Sequence, residues 1–331
     1  MVQGSKFTQA LDSASGVDFI GDVHGCANSL RSLLEKMDYV NDSGVYRHKT
    51  RIAFFVGDIV DRGPRIREAL HLIKSMVDAG TACCVLGNHE YNALAYTTPI
   101  SENDGETQYM RQHNHRNNRL ISETLSQFAG YPEQWRDMLC WFKTLPLYYE
   151  HKDFRVVHAC WDDKNIQYFE SHCTSSNACV DDYVLGRIAG GDKDLAKAVD
   201  RLTHGTYFAL PEGRAISGKD GLVRTFFRTK FWAKNPKIYR DLIFQPDPLP
   251  EDLDAQRLDE TELNDMLSYP DFEKPVFIGH YWLNGKPKIQ RENVACLDYS
   301  AVKYGRLVCY RYDGESKLHN DKFEWVYVDP N

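Results

Sequence analysis

The 331-residue sequence lacks any apolar run near the roughly 18 residues that a membrane-spanning helix needs. Its opening stretch, MVQGSKFTQALDSASG, also lacks the continuous apolar segment of a signal peptide. We therefore expect no membrane association and a cytoplasmic location. Internal repeats and low-complexity segments are missing too, and a hydrophobic fraction of 42% is typical of a globular protein with a sizeable core.

An excess of positive charge is missing as well. Lys and Arg number 40 against 47 Asp and Glu, which gives a net charge of -7 at pH 7. A surface built to bind nucleic acid or an anionic membrane carries the opposite balance. Nucleic acid as a partner is therefore compatible with a local basic groove but not favoured.

The nine cysteines lack the spacing of a disulfide framework. Cys173 and Cys179 are the one close pair in a loop, and no second pair stands at the spacing of zinc ligands. We expect reduced thiols in the core and no zinc–thiolate site.

The first 90 residues repeat one pattern three times: an apolar strand, a glycine with polar residues, and an amphipathic helix. The strand in VDFIGDVHG precedes a helix with Leu30, Leu33, Leu34 and Met37 on one face. The strand in RIAFFVGDIVDRGP precedes a second helix, and TACCVLGNHE ends a third strand. Strands without alternation, each followed by a helix, indicate parallel pairing with both faces covered. We predict an α/β fold, a layered core of β-sheets flanked by helices.

Polar side chains follow each of these strands. Because the carboxyl ends of parallel strands meet at one sheet edge, they should share a cleft: Asp22, His24, Asp58, Asp61, Arg62, Asn88 and His89. The apolar strands in FRVVHACWD and KPVFIGHYW end in His158 and His280. The alternative interpretation is that these residues are helix caps, turn formers and core histidines.

The remaining sequence suggests a single domain, residues 1–331, with an insert. Residues 162–270 are rich in charge and turn residues, and we expect a cap beside the cleft. After Lys274 the stretches NVACLDYS, GRLVCYRYDGE and KFEWVYVD are predicted as consecutive antiparallel strands. Within the insert, VRTFFRTKFWAKNPKIYR interleaves cations with aromatics; it is either an amphipathic strand with a basic face or a phosphate-binding groove containing Arg224 or Arg228.

The polar set suits a pair of divalent cations. Such a pair stands about 3.5–4 Å apart and shares one carboxylate. Asp22 and His24, two positions apart on a tight turn, can reach one ion, and Asp58 on the next strand end can bridge to the second. Asn88, His158 and His280 can complete it. Carboxylate, amide and imidazole ligands favour Mn, with Fe or Zn as alternatives.

The motifs GDVHG, GDIVDRG and GNHE, in this order at strand ends, resemble the signature of the calcineurin-like metallophosphoesterases. The similarity is to the branch of the serine/threonine phosphoprotein phosphatases and the bacterial diadenosine tetraphosphatases. With His158 and His280 the motifs extend over residues 21–280. The resemblance implies a dinuclear metal-dependent phosphatase whose substrate is a phosphoprotein or a nucleotide.

The resemblance also implies roles. Asp22, His24 and Asp58 would hold the first metal, and Asp58, Asn88, His158 and His280 the second. His89 would be the general acid, with Asp61 orienting it, and Arg62 would bind phosphoryl oxygens together with Asn88. A hydroxide bridging the metals would be the nucleophile, so no phosphoenzyme is expected.

The sequence departs from the family patterns in ways that leave the substrate undetermined. HACW has Ala159 and Cys160 where phosphoprotein phosphatases usually have two glycines, and the Asn-Asp-Arg-Gly motif with their second phosphate-binding arginine is absent. VDRGP, in turn, keeps Asp61, which symmetrical diadenosine tetraphosphatases usually lack. We expect hydrolysis of phosphomonoesters. The alternatives are a diadenosine tetraphosphatase, a polynucleotide-end phosphatase, a nuclease or a non-catalytic binding protein.

Overall fold

The structure is a computed structural model that describes residues 2–103, 106–173, 178–217, 223–245 and 249–328. Its contacts divide the chain into two compact units. The first unit comprises Met1–Thr203 and Lys274–Asn331, and the second comprises His204–Glu273. Residues 162–203 of the expected insert group with the first unit and residues 204–270 with the second; the insert, and its place as a cap over the cleft, stay predictions.

The strands, numbered in chain order, are β1 Gly16–Ile20, β2 Val40–Asp42, β3 Val45–Arg47, β4 Arg51–Phe55, β5 Ala82–Cys84, β6 Pro99–Asn103, β7 Glu106–Tyr109, β8 Tyr148–Glu150, β9 Arg155–Val157, β10 Tyr207–Ala209, β11 Ile216–Ser217, β12 Val223–Arg224, β13 Phe226–Thr229, β14 Ile243–Gln245, β15 Val276–Ile278, β16 Val294–Cys296, β17 Asp298–Tyr299, β18 Arg306–Tyr312 and β19 Phe323–Tyr327.

The helices are α1 Val2–Ser13, α2 Ala27–Lys36, α3 Ile66–Asp78, α4 Asn88–Thr97, α5 His115–Phe128, α6 Pro132–Phe142, α7 Asp163–His172, α8 Asp182–Ala189, α9 Lys193–His204, α10 Tyr239–Leu242, α11 Glu251–Asp254 and α12 Glu260–Asp265. Among the residues described, none of these helices combines the length and apolar character that a membrane crossing requires.

The core of the first unit is built on two sheets. In the larger sheet, of order β17-β18-β1-β4-β5, β19 also pairs with β18. Strands β1, β4 and β5 pair in parallel, as predicted. Strands β1 and β4 lie inside this sheet, and β5 forms one edge of it. The smaller sheet has the order β16-β15-β9-β8, with β15 parallel to both β9 and β16. The expected α/β core is confirmed.

The two sheets face each other through aromatic side chains. The ring of Phe19 on β1 stacks on Phe277 of β15 at a centroid distance of 3.6 Å, and Phe154 meets Phe19 edge-on at 5.0 Å. Burial of such rings is a major source of stability, because each removes a large apolar area from water. On the larger sheet, α2 buries Leu30, Leu33 and Leu34. This packing aligns the ends of strands from both sheets along one edge.

The C-terminal strands differ from the predicted antiparallel run. The stretch NVACLDYS splits at Leu297: β16 pairs in parallel with β15, whereas β17 pairs antiparallel with β18 in the other sheet. Strands β18 and β19 are antiparallel, as expected. Alternation of apolar and polar residues in the sequence cannot distinguish parallel from antiparallel pairing here, because β16 and β17 are buried on both faces.

The second unit has its own small core. Strands β10, β13 and β14 form a sheet, and β11 pairs with β12. A cluster of buried side chains around Phe227, Tyr239 and Leu242 packs beside it. The cluster includes Phe227 and Tyr239, so these two aromatic residues of the VRTFFRTKFWAKNPKIYR stretch are core residues.

Candidate metal centre

Five strand ends supply the site. Turns after β1, β4 and β5 in the larger sheet carry the GDVHG, GDIVDRG and GNHE motifs, and β9 and β15 of the facing sheet end just before His158 and His280. The side chains that these turns present are all buried: Asp22, His24, Asp58, Asp61, Asn88, His89, His158 and His280. The residues that the sequence places in one cleft are therefore together.

Two groups of potential metal ligands share one carboxylate. The first is His24, Asp58 and His89, and the second is Asp58, His158 and His280; within each, the ligand atoms lie within 4.8 Å of one another. Asp58 Oδ2 is 3.7 Å from His24 Nε2, 3.9 Å from His89 Nε2 and 3.3 Å from His158 Nε2. Asp58 is common to both groups, and its role as a bridging ligand stays a prediction.

Two further predicted ligands adjoin these groups. Asn88 Oδ1 is 2.8 Å from His280 Nδ1 and 3.0 Å from His158 Nε2, which places it in the second group. Asp22 Oδ2 accepts the backbone N–H of His280 at 3.1 Å. Gly279 permits this approach, because a Cβ at that position would collide with Asp22 Oδ1.

The histidine hydrogen bonds fit a cation. His24 Nδ1 is 2.8 Å from the Val60 carbonyl, and His158 Nδ1 is 2.7 Å from the Val56 carbonyl. A carbonyl only accepts, so in the neutral ring each Nδ1 carries the proton and each Nε2 keeps a lone pair, at 3.7 Å from Asp58 Oδ2 for His24 and 3.3 Å for His158. A divalent cation among these Nε2 atoms and the Asp58 carboxylate would be attracted by all of them. Donation of the second ring N–H to a backbone carbonyl is typical of metal-ligating histidines.

Burial and neighbouring charges shift the pKa values of the carboxylates and of His24 at the centre. Burial, together with Asp298 and Asp58, raises the pKa of Asp22 well above its usual value. Burial would also raise the pKa of Asp58, but His158, His89 and His24 hold it well below its usual range. Burial and Arg62 lower the pKa of His24 well below its usual value, so its imidazole is neutral and available as a ligand. The donor set of oxygen and imidazole nitrogen therefore fits two divalent cations.

Arg62 contacts two of these imidazoles. Its Nη1 donates to His24 Nε2 at 3.0 Å and its Nη2 to His89 Nε2 at 2.9 Å. The residue is exposed although its head group reaches the centre. The guanidinium supplies positive charge where the ligand set lacks it, and a ligand role for His24 requires this hydrogen bond to open.

A model of the calcineurin-like phosphoesterase family matches residues 16–227, which is more than half of the chain and contains all three motifs. The chain belongs to this family. Calcineurin-like phosphoesterases depend on a pair of metal ions, so the chain is a hydrolase of phosphoesters with residues suited to hold such a pair.

Named relatives of this calcineurin-like phosphoesterase include two kinds of tetraphosphatase. A symmetrical bis(5'-nucleosyl)-tetraphosphatase of Vibrio campbellii is 26% identical over 306 residues, covering 89% of this chain and 94% of that protein. An asymmetrical one, PrpE of Halalkalibacterium halodurans, is 47% identical over 73 residues, but the match covers only 22% of this chain and 30% of that protein. The stronger local identity therefore concerns less than a third of that relative.

Among solved structures, the cold-active protein-tyrosine phosphatase of a psychrophilic Shewanella species is similar in fold. Its TM-score is 0.50 at 18% identity, with 91% of this chain and 79% of that chain covered. At this identity the likeness concerns the fold alone.

His89 and Asp61 form a buried pair in this calcineurin-like phosphoesterase. His89 Nδ1 is 2.6 Å from Asp61 Oδ2, and both side chains are buried. The carboxylate fixes which ring nitrogen carries the proton and turns Nε2 toward Arg62 and Asp58. This is the geometry expected if Asp61 orients His89.

Glu90, the last residue of GNHE, has a role that the sequence analysis missed. Its fully buried carboxylate accepts backbone N–H groups from Gly87, Asp58, Ile59 and Val60, at distances between 2.8 and 3.1 Å. It therefore ties the turn after β4 to the start of α4. A glutamate three residues after a glycine at a helix start was the available signal.

Backbone conformation is unusual at the centre. Left-handed φ values occur at His24 (41°), Asp58 (53°), Asp61 (66°), Arg62 (70°) and His280 (66°). Such values cost free energy for residues other than glycine and are concentrated at functional sites, where surrounding contacts enforce them. Here the left-handed backbone occurs at five residues whose side chains all belong to the site.

Arg224 and Arg228, the sequence candidates for a second phosphate clamp, belong to the second unit. Their participation in the site stays a prediction. Asp298 is a buried carboxylate near Asp22 that the sequence analysis did not select, because a single aspartate in a strand carries no motif.

Proposed function

We propose that this protein hydrolyses a phosphoanhydride or phosphoester bond of a nucleotide, with a dinucleoside tetraphosphate as its leading candidate substrate. The observation that carries this proposal is the pair of ligand groups sharing Asp58, with Arg62 reaching them from the surface. The full-length similarity to symmetrical bis(5'-nucleosyl)-tetraphosphatases supports the nucleotide as substrate.

In this proposal Asp22, His24 and Asp58 hold one ion, and Asp58, Asn88, His158 and His280 hold the other. Mn²⁺ is our candidate, with Fe or Zn as alternatives, because the donors are oxygen and nitrogen without thiolate. Two such ions, when bound, supply positive charge to the phosphoryl oxygens and an activated water as nucleophile.

The chain's own residues supply the remaining steps. Arg62, a planar guanidinium at the surface of the centre, binds and orients the phosphoryl oxygens, and the amide of Asn88 assists. When Arg62 turns from His89 Nε2 to the phosphoryl oxygens, His89 as the imidazolium carries a second proton at Nε2 and donates it to the leaving oxygen, while Asp61 keeps the ring oriented through Nδ1.

A cysteine phosphoenzyme does not fit the site. Cys26, the thiol next to GDVHG, is buried, and burial raises its pKa to about 12. Burial also raises the pKa of Cys160. Neither sulfur is a thiolate near neutral pH, and the thiolate is the nucleophilic form.

A phosphomonoesterase, acting on a phosphoprotein, is the second candidate. The contact between Asp61 and His89 favours it, because the resemblance to phosphoprotein phosphatases rests on the same aspartate. A non-catalytic binding protein is disfavoured because the ligand groups and His89 are all present.

The test uses protein stripped of metal, with and without added Mn²⁺, on diadenosine tetraphosphate and a phosphopeptide side by side. Chromatography of the nucleotides distinguishes two ADP molecules from ATP plus AMP, and a phosphate assay follows the peptide. Faster Mn²⁺-dependent cleavage of the dinucleotide is the expected result. Faster cleavage of the peptide would favour the second candidate, and no cleavage of either would contradict both.

A further inference from the structure

A small cavity of about 50 Å³ adjoins the metal centre. One wall consists of His24 and Arg62, which belong to the centre itself, and the other includes Trp282, Asp298, Ser300 and Lys303. This volume accommodates about three or four water molecules, or one phosphoryl group. A nucleobase would not fit into it.

Hydrogen bonds of Asp298 organise the second wall. Asp298 is buried, and its Oδ1 accepts the backbone N–H of Ser300 at 2.9 Å, while its carbonyl accepts the N–H of Leu283 at 2.9 Å. Left-handed φ values at Ser300 (57°) and Tyr304 (56°) flank the short 3₁₀ turn Ala301–Lys303. The turn that presents Lys303 is therefore bounded by left-handed residues at both ends, and Asp298 contacts the first of them.

The chemistry of the lining favours an anion. Arg62 and Lys303 contribute two cations, against the single carboxylate of Asp298, which is already engaged by Ser300. The Lys303 ammonium lies 5.6 Å from the centre of the Trp282 ring, a cation–π contact that positions it while leaving its N–H groups available. Lys303 is itself exposed, so a ligand can reach it from solvent.

We propose that this cavity binds the phosphate next to the one under attack in a polyphosphate chain, with Lys303 as its cation. The inference rests on the proposed function, because Arg62 would hold the scissile phosphoryl group on the shared wall. A phosphomonoester has no second phosphate and leaves the cavity unused. The cavity therefore selects nucleoside polyphosphates over simple phosphomonoesters.

The test compares Lys303→Ala with the wild-type protein, both loaded with Mn²⁺, on diadenosine tetraphosphate and on p-nitrophenyl phosphate. A charge-assisted contact is worth enough that KM for the tetraphosphate should rise about tenfold or more. KM for p-nitrophenyl phosphate should stay within about twofold, since no contact to it is lost. Lys303→Arg should retain most of the affinity. Lys49→Ala is the matched control, because Lys49 is an exposed lysine that precedes β4, at the end of that strand away from the metal centre.

A binding measurement separates this site from catalysis. Calorimetric titration of metal-free protein with inorganic tripolyphosphate should show about tenfold weaker binding for Lys303→Ala, and Lys49→Ala should bind it as the wild-type protein does. If wild-type protein cleaves both substrates but Lys303→Ala changes neither KM, or both equally, the cavity does not bind the second phosphate while the proposed function stands. If wild-type protein cleaves neither substrate with metal, the proposed function itself fails.

Discussion

Thr124 forms two hydrogen bonds with Asp61. Its Oγ1 accepts the backbone N–H of Asp61 at 3.1 Å and donates to Asp61 Oδ1 at 2.5 Å. Thr124 is fully buried on α5, and the other oxygen of Asp61 is 2.6 Å from His89 Nδ1. A helix that contributes no metal ligand in the described structure therefore sets the orientation of the His89 ring through one carboxylate.

Replacing Thr124 with valine should slow turnover without removing metal. The isosteric side chain leaves the Asp61 N–H and one carboxylate oxygen unsatisfied, which costs about 1–3 kcal/mol and frees the carboxylate to rotate. We expect kcat to fall about tenfold or more with KM little changed, because the His89 ring is then less well oriented. Thr124→Ser, which keeps the hydroxyl, should restore most of kcat at a similar melting temperature. Equal activity of the two variants would contradict the positioning role.

Replacing His89 with asparagine tests whether this residue is a general acid or a metal ligand. His89 Nε2 lies in the first ligand group, 3.9 Å from Asp58 Oδ2, but its Nδ1 contact with Asp61 suits a general acid. We expect kcat to fall on the order of 10²–10⁴-fold with metal content preserved. Elemental analysis beside the kinetics decides the matter: loss of an ion would make His89 a ligand, and near-normal turnover would remove it from the role of acid.

The strand ends of the larger sheet could be predicted because their signal is local. Each of β1, β4 and β5 is a short apolar run followed by a motif, and parallel pairing brings the motifs together whatever the details of packing. The proximity of Asp58, Asn88 and the two later histidines follows from the same rule, because β9 and β15 are also parallel.

Other parts of the site depend on contacts that are distant in sequence. Thr124 meets Asp61 across 63 positions, and Glu90 reaches Asp58 across 32. Thr124 does not differ in the sequence from an ordinary helix residue, and the capping pattern of Glu90 indicates a helix start but not its contacts with the turn after β4, so the packing of α4 and α5 is needed to reveal both roles. The same limit applies to Asp298, which reaches the cavity because the chain crosses between sheets at Leu297.

Replacing Asp58 with asparagine should remove both ions rather than one. Asp58 is the one residue common to the two ligand groups of the described structure, and a neutral amide bridges two cations poorly. Metal content after dialysis should fall from roughly two ions per chain to fewer than one. Asp61→Asn is the matched control: it lies in the same motif and should keep the metals while losing turnover. Retention of one ion by Asp58→Asn would indicate separate sites without a shared ligand.

Replacing Glu90 with glutamine should destabilise the fold more than any exposed substitution on the neighbouring helix. The fully buried carboxylate accepts hydrogen bonds from the backbone N–H groups of Gly87, Asp58, Ile59 and Val60. The glutamine amide would place its own NH₂ donor against some of these N–H donors, so those hydrogen bonds would be lost. We expect the free energy of unfolding to fall by about 2–4 kcal/mol, measured by urea denaturation of metal-free protein.

Glu123→Gln, at an exposed position of α5, controls for the loss of charge and should change stability by less than about 0.5 kcal/mol. Because Glu90 fixes the turn that carries Asp58, the Glu90→Gln protein should also bind Mn²⁺ more weakly under conditions in which it remains folded. Normal metal affinity together with reduced stability would show that the turn keeps its left-handed backbone at Asp58 without the carboxylate, and that the facing sheet is sufficient to hold the centre.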